Sequence, residues 1–346
     1  MSLIPIDGSQ GEGGGQVLRT ALALSVATGQ GFHITKIRAQ RPVPGLAPQH
    51  LAAVRAATLA CGATTGGAFD RSPDLRFEPG VLASGDFRFD IATAGASSLV
   101  AQTVLPPLAL APGSSRVEVT GGTHVPWSPS FHFLERHWAE AVRSLGLVCR
   151  LDLIKAGFYP PGGGEIRARI TNWSEPRAAC FEDRGALVAL RGLSGQGRIK
   201  GDLAKRQRDG AQEVFWEQRR TEVDWQVLDV PAASPGCFLF VEAIFESGRA
   251  GFGFIGERGV SPERLGARAA RRLLRFVEEE SGAVDPCLAD QLAVPMALSR
   301  AGGRVTTSEV TGHLESVVEV MKQFGVSARI EGRRGLPGRL EVDACS

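Results

Sequence analysis

The sequence predicts an α+β protein: three β-α-β-α-β-β repeats, with helices packed on four-stranded sheets, plus a smaller inserted α/β domain. Three observations carry this. Runs with helical periodicity recur with Gln16, Gln102 and Gln291 at corresponding places. Glycine-rich turns join alternating strand pairs late in the second and third copies, at Pro160-Pro161-Gly162-Gly163-Gly164 and at Arg333-Arg334-Gly335-Leu336-Pro337-Gly338. The spacing is uneven: Gln16 and Gln102 stand 86 residues apart, Gln102 and Gln291 189 apart, so about a hundred residues are spliced into the third copy's interval.

In the first copy a short strand at 3–6 leads through a glycine loop into a helix from Gln16 that ends near Gly29. A strand at 32–37 and a second helix at 48–61, stopped by Gly62, follow. In the second copy the helix through Gln102 runs toward Gly113, with a strand at 115–119 and a helix at 131–145 before Gly146. The third repeats this with a helix from Gln291 to Gly302, a strand at 304–307 and a helix at 313–324 before Gly325. Glycine after each helix is the expected left-handed cap. Hairpins at 147–155 with 165–170, and at 326–331 with 340–342, complete the second and third units. Each helix is apolar on one face, which is the face it should turn to a sheet. The insertion, 181–281, reads as a strand at 186–193, a helix at 203–219, strands at 225–230, 237–246 and 251–256, and a helix at 261–280. Residues 1–180 and 282–346 then form the repeat-containing domain.

Composition excludes several classes. Hydrophobic residues make up 43% and charged residues 22%, which rules out disorder, collagen, a coiled coil or a disulfide-stapled miniprotein. Mean hydropathy is −0.02 and no apolar run reaches 18 residues, so no membrane span is expected. The first seven residues lack the basic start and apolar core of a secretory signal. A net charge of +2 carries no general polybasic footprint for nucleic acid. Of 39 basic residues only five are lysine, at 36, 155, 200, 205 and 322. That skew fits a GC-rich genome or phosphate recognition by guanidinium forks, so individual arginines must be argued by position. The six cysteines are never closer than 31 residues, which excludes CxxC pairs and points to reduced thiols in a cytoplasmic protein. The six histidines form no HExxH, and His132 and His137 read as structural.

The loop Asp7-Gly8-Ser9-Gln10-Gly11-Glu12-Gly13-Gly14-Gly15-Gln16 lies between a strand and a helix, where backbone N–H groups can meet an anion. It is no P-loop, because no Gly-Lys-Ser/Thr follows, and no GxGxxG, because Gln16 takes the last glycine's place. Glu12 would repel phosphate unless a cation bridges them, which makes it a Mg²⁺ or Mn²⁺ ligand. The alternative is a tight structural turn with an exposed carboxylate. Gly251-Phe252-Gly253-Phe254-Ile255-Gly256 does spell GxGxxG, but it alternates like a strand and no helix starts there, so it is not read as a nucleotide site. Arg38, Arg41, Gln49 and His50 bracket a proline- and glycine-shaped loop that could clamp phosphate or stay solvated. His313 opens a helix, where the dipole disfavours imidazolium; a neutral ring suits a nucleophile or base, and a capping or core role is the alternative. Asp290 reads as a cap for its helix.

Together these residues resemble the RNA 3′-terminal phosphate cyclase family over nearly the whole chain. The carriers are the 7–16 glycine loop, the 41–51 loop, Gly157-Phe158-Tyr159-Pro160-Pro161-Gly162-Gly163-Gly164 and Leu288-Ala289-Asp290-Gln291-Leu292. The resemblance implies three repeats with an inserted domain and an ATP-dependent enzyme that closes an RNA 3′-phosphate into a 2′,3′-cyclic phosphate. His313 matches the family's nucleophile, which takes AMP from ATP and passes it to the RNA 3′-phosphate before the 2′-OH expels it. Gln102, Pro129, Phe133, Cys287, Leu288, Ala289, Asp290 and Gln291 match the ATP-contacting region. Arg19, Arg38, Arg41, Gln49 and His50 match groups near phosphates or RNA, and Glu12 the ligand of Mg²⁺ or Mn²⁺. The expected partner is RNA with a 3′-phosphate end, without membrane and with a homodimer left open. The family often has an aromatic where this chain has Cys287, which leaves stacking on adenine there in question. Relatives in ribosome assembly lack the catalytic histidine; its presence at 313 argues for the catalytic branch over a non-catalytic RNA-binding factor. A small-molecule transferase on a similar repeat fold is the third alternative.

Overall fold

The computed structural model describes residues 2–345. The first repeat is β1 (Ile4–Asp7), α1 (Gly15–Thr28), β2 (Phe32–Thr35), α2 (Pro48–Cys61), β3 (Thr64–Gly66) and β4 (Leu75–Glu78), with strand order β1-β2-β4-β3. β1 and β2 run parallel and the other pairs antiparallel. Alternation does the sorting: Phe32, Ile34, Leu75 and Phe77 point inward and are buried, with Phe32 stacked on Phe77 at 5.6 Å.

The second repeat has the same plan: β5 (Asp86–Asp90), α3 (Ser97–Leu108), β6 (Ser114–Gly121), a broken helix, then β7 (Cys149–Lys155) and β8 (Gly164–Thr171), ordered β5-β6-β8-β7. The broken helix is α4 (Phe131–Phe133), a π turn (Leu134–Trp138) and α5 (Ala139–Ser144). The third repeat opens with β9 (Ala179–Phe181). The chain then builds β10 (Leu187–Gly197), α6 (Leu203–Arg219), β11 (Asp224–Asp229), β12 (Gly236–Phe245), β13 (Arg249–Ile255) and α7 (Pro262–Glu278). It resumes with α8 (Pro286–Ser299), β14 (Gly303–Thr307), α9 (Gly312–Gln323), β15 (Ala328–Gly332) and β16 (Gly338–Val342). Order β15-β16-β14-β9 closes the third sheet across the insertion, with β9 parallel to β14. The α+β class and the threefold repeat are therefore as expected.

Two local expectations are corrected. Asp290 does not cap its helix. α8 begins five residues earlier, with Pro286 in the first turn and the Asp285 carboxylate accepting the Leu288 N–H at 3.0 Å. Nor does glycine follow every helix. Gly29 and Gly62 are left-handed caps, but α8 ends on left-handed Arg300, and Pro106-Pro107 remove donors at the end of α3 so that it stops at Ala109.

The first helices of the three repeats, α1, α3 and α8, touch one another at the centre of the molecule. They are buried almost all round, so the expectation of a single apolar face is corrected for them: packing at the centre covers their other sides as well. The sheet β11-β10-β12-β13 carries α6 and α7 on one face over its own core of Val214, Phe215, Leu239, Leu273 and Phe276. Its other face turns Phe238 and Phe240 onto His124, His132 and Phe133 of the second repeat, which brings β13 over the central helices. Among the described residues no helix is long and apolar enough to cross a membrane.

Candidate nucleotide and phosphate site

A cavity of ≈ 530 Å³ opens where α1, α3 and α8 meet. Repeat-equivalent Gln16, Gln102 and Gln291 all border it. The Gln102 amide donates to Gln291 Oε1, the Gln291 amide donates to Cys287 Sγ at 2.9 Å, and Arg19 donates to Gln16 Oε1 at 2.8 Å. Pro129 and Phe133 contribute to the wall from the second repeat, Phe252 and Phe254 from β13. Mostly apolar walls with a few converging polar groups suit a flat heterocycle with a polar edge.

Of the residues expected near ATP, Gln102, Pro129, Phe133, Cys287, Asp290 and Gln291 border this cavity. Leu288 and Ala289 do not; both are buried in the hydrophobic core on the inner side of α8. The segment 251–254 is a strand, as read, yet that strand forms a wall. Phe252 and Phe254 have no local signature for this, because tertiary packing of the inserted sheet makes the contact. Arg272 lies over the Phe252 ring at 4.0 Å.

The glycine loop lies beside the cavity. Asp7 holds its start: its carboxylate accepts from Lys36 at 2.7 Å and from Ser9, which holds the carboxyl down to about 2. α1 starts after Gly14, whose lack of a side chain leaves the first N–H groups of the helix without an N-cap side-chain partner. A Cβ on Gly15 would lie 2.3 Å from His50 Nε2 and 2.8 Å from Arg19 Nη1, so only glycine lets those two groups close on this turn. His50 Nδ1 accepts the Ala47 N–H at 3.1 Å. Burial, and then the charges of Arg19 and Arg38, lower its pKa to about 3. Burial alone brings Arg19 down to about 10. Arg41 donates to the Glu12 carbonyl at 3.3 Å, Arg38 donates to the Gly45 carbonyl at 3.0 Å, and Gln49 lies against Gly95.

His313 comes to this loop from the third repeat. Thr311 caps α9: its hydroxyl accepts the Leu314 N–H at 2.9 Å and donates to Asp290 Oδ1 at 2.6 Å. His313 borders the cavity, and its Nδ1 is 3.1 Å from Glu12 Oε2. Two small residues allow this. A Cβ on Gly312 would lie 2.6 Å from Glu12 Cγ, and one on left-handed Gly11 would lie 2.1 Å from Ser316 Oγ, the group that accepts the Glu12 N–H at 3.3 Å. Burial lowers the His313 pKa; Glu12 opposes this, and Arg19 and Arg41 reinforce it. The ring is therefore neutral at pH 7. The negative charge of Glu12 beside Nδ1 favours the tautomer with its proton on that nitrogen, which leaves the Nε2 lone pair for a nucleophile's role. Burial raises the Asp290 carboxyl to about 8, with Asp285, Glu12 and Glu309 adding and the Thr311 bond opposing.

Among the described residues no cluster of three or more His, Cys, Asp or Glu could hold a metal by itself. On the loop, Asp7 is engaged by Lys36 and Ser9, and Glu12 is the carboxylate that lies beside His313. That donor set fits a hard cation only if it shares its remaining positions with ligand oxygens and water, as Mg²⁺ does on phosphates.

The sequence pattern of RNA 3′-terminal phosphate cyclase matches residues 10–330. The chain belongs to the RNA 3′-terminal phosphate cyclase family. Similar proteins of that name include one from Ralstonia nicotianae, 43% identical over 93% of this chain and 91% of its own. The Archaeoglobus fulgidus protein is 40% identical over 96% and 99%, and that of Methylococcus capsulatus 39% over 96% and 94%. The cyclase family is one of ATP-dependent enzymes, so this chain is an enzyme of that class. An EPSP synthase structure from Acinetobacter baumannii shares 14% identity over 99% of this chain and 64% of its own, at a TM-score of 0.31; a likeness at that level says nothing of activity.

Proposed function

We propose that the chain converts an RNA 3′-terminal phosphate into a 2′,3′-cyclic phosphate in three steps, the first two at His313. First, Nε2 attacks the α-phosphorus of ATP; an N–P bond forms, the bond to the β-phosphate oxygen breaks, and diphosphate leaves. Second, an oxygen of the RNA 3′-phosphate attacks the same phosphorus and breaks the N–P bond, giving RNA(3′)pp(5′)A and a free imidazole. Third, the vicinal 2′-OH attacks the phosphorus of the RNA phosphate and passes its proton to water; an O–P bond forms, the bond from that phosphorus to the bridging oxygen breaks, and AMP leaves. A phosphate monoester has a poor leaving group, and adenylylation supplies a good one.

The observation that carries this reading is His313 at the cavity edge, neutral, with the Glu12 carboxylate 3.1 Å from its Nδ1. Pro129, Phe133, Cys287, Asp290, Gln102 and Gln291 take the nucleoside. Arg19, Arg38, Arg41, Gln49 and His50 take phosphates of ATP and RNA, with the N–H groups at the start of α1. Each desolvated guanidinium–phosphate contact contributes on the order of 1.5–3 kcal/mol. Glu12 would hold Mg²⁺ or Mn²⁺ together with phosphate oxygens; when bound, the cation neutralises charge on the departing diphosphate. Residues 1–180 and 282–346 supply the reacting groups, and 181–281 supplies the β13 wall. The free thiols of Cys61, Cys149, Cys180, Cys237 and Cys287 support a reducing, cytoplasmic setting.

Incubation with an RNA oligonucleotide bearing a 3′-phosphate, ATP and Mg²⁺ tests the reading. It predicts a phosphatase-resistant 3′ end with one AMP and one diphosphate per end. RNA binding without any such product would instead favour a non-catalytic assembly role.

A further inference from the structure

Trp127 has no part in the chemistry above. Its side chain is 97% exposed, more than any other large apolar side chain among the described residues. Its φ is +58°, a left-handed conformation that bulky residues rarely adopt. The segment around it is not loose. Ser128 donates to the Val125 carbonyl at 3.2 Å, Ser98 to the Pro129 carbonyl at 2.6 Å, and the Phe131 N–H to the Thr123 carbonyl at 2.9 Å. Pinned on both sides, the chain turns left-handed at 127 and holds an indole out in water. That arrangement contributes no buried area to the fold and costs backbone strain, the usual mark of a ligand contact.

Position identifies the ligand. Trp127 borders the same cavity as His313, but at its rim, while Pro129, Phe133, Phe252 and Phe254 already supply the inner apolar walls. An RNA 3′ end that delivers its phosphate to His313 must enter past this rim with its last bases unstacked from a duplex. A rigid, bare indole face is what such a base stacks on, whatever its identity. Resting on the function proposed above, we infer that Trp127 is the stacking platform for a base at the 3′ end of the RNA, outside the ATP pocket.

The test uses the full chain as Trp127→Ala and Trp127→Phe, with single-turnover labelling from α-labelled ATP and steady-state cyclisation of a 3′-phosphorylated oligonucleotide. Trp127→Ala is expected to raise KM for RNA about 5- to 100-fold, with kcat and the labelling rate within about threefold of the native chain; Trp127→Phe recovers most of the loss. The same oligonucleotide should quench tryptophan fluorescence in the native chain and quench it less in Trp127→Phe. An unchanged KM for RNA overturns the inference, and so does a loss confined to ATP binding or labelling, which would make Trp127 a cap on the nucleotide. If the native chain takes no label, the proposed function fails instead. The quenching titration needs no turnover and then decides the stacking alone: equal quenching in the native chain and Trp127→Phe overturns it.

Discussion

Replacing Glu12 by Gln removes one charge 3.1 Å from His313 Nδ1 while keeping the side chain's size and a neutral acceptor. The Coulomb interaction at that distance is about 1 kcal/mol at the dielectric of water and about 5 kcal/mol at an effective value of 20. The imidazole is 47% exposed and the carboxylate 35%, so solvent screening favours the lower figure. Losing it lowers the His313 pKa further, because Glu12 stabilises the imidazolium while burial and the Arg19 and Arg41 charges already oppose it. The same charge favours the Nδ1–H tautomer, so its loss lets the proton move to Nε2, where it blocks the nucleophile. Adenylylation should therefore slow about fivefold or more at pH 8, where the ring is neutral in both proteins. The deficit should narrow toward pH 5, since the variant's ring stays neutral to lower pH. Single-turnover labelling from α-labelled ATP between pH 5 and 9, repeated over a Mg²⁺ series, measures both effects. Equal rates and equal pH midpoints for the two proteins would refute the pairing as a catalytic device.

Three further outcomes follow from the same geometry. Gly312→Ala places a methyl 2.6 Å from Glu12 Cγ, so labelling should fall at least tenfold with the melting temperature little changed; normal labelling would mean that Glu12 has room to move. Asp290 titrates near 8 in the fold against about 3.9 unfolded, so the folded chain binds the extra proton and stability falls as pH rises from 4 to 8. Asp290→Asn should thus be more stable than the native chain at pH 8.5, by on the order of 3 kcal/mol, and lose that advantage near pH 4; parallel melting curves at both pH values would contradict this. His50 has the opposite sign. Its pKa falls to about 3, so stability is present above pH 6.5 and lost as pH drops toward 3, and His50→Gln should flatten that acid limb in urea titrations.

The repeat plan was legible because helix periodicity, glycine turns and the spacing of Gln16, Gln102 and Gln291 agree with one another. The same three glutamines meet in one cavity, which their spacing hinted at and only tertiary packing could bring about. β9 was not legible: three residues are too few for alternation, and its partner β14 lies beyond the insertion. Asp290 was read as a cap because it lies near an apolar run, but Asp285-Pro286 carries the stronger start signal, and Asp290 instead braces the Thr311 cap of the helix that bears His313. Glu12 and His313 were each singled out on local chemistry, and the contact between them arises from the docking of α9 against the first repeat. Phe252, Phe254 and Trp127 could not be found from sequence. The first two alternate as any strand does, and nothing in a residue's identity announces that it is left bare at a cavity mouth.

The most direct measurement is acid-labile label on the protein after incubation with α-labelled ATP and Mg²⁺, comparing the native chain with His313→Ala. The native chain should take up close to one equivalent, released as AMP on adding 3′-phosphorylated RNA, and His313→Ala none. Equal labelling of the two proteins would contradict the assignment of His313 as the nucleophile.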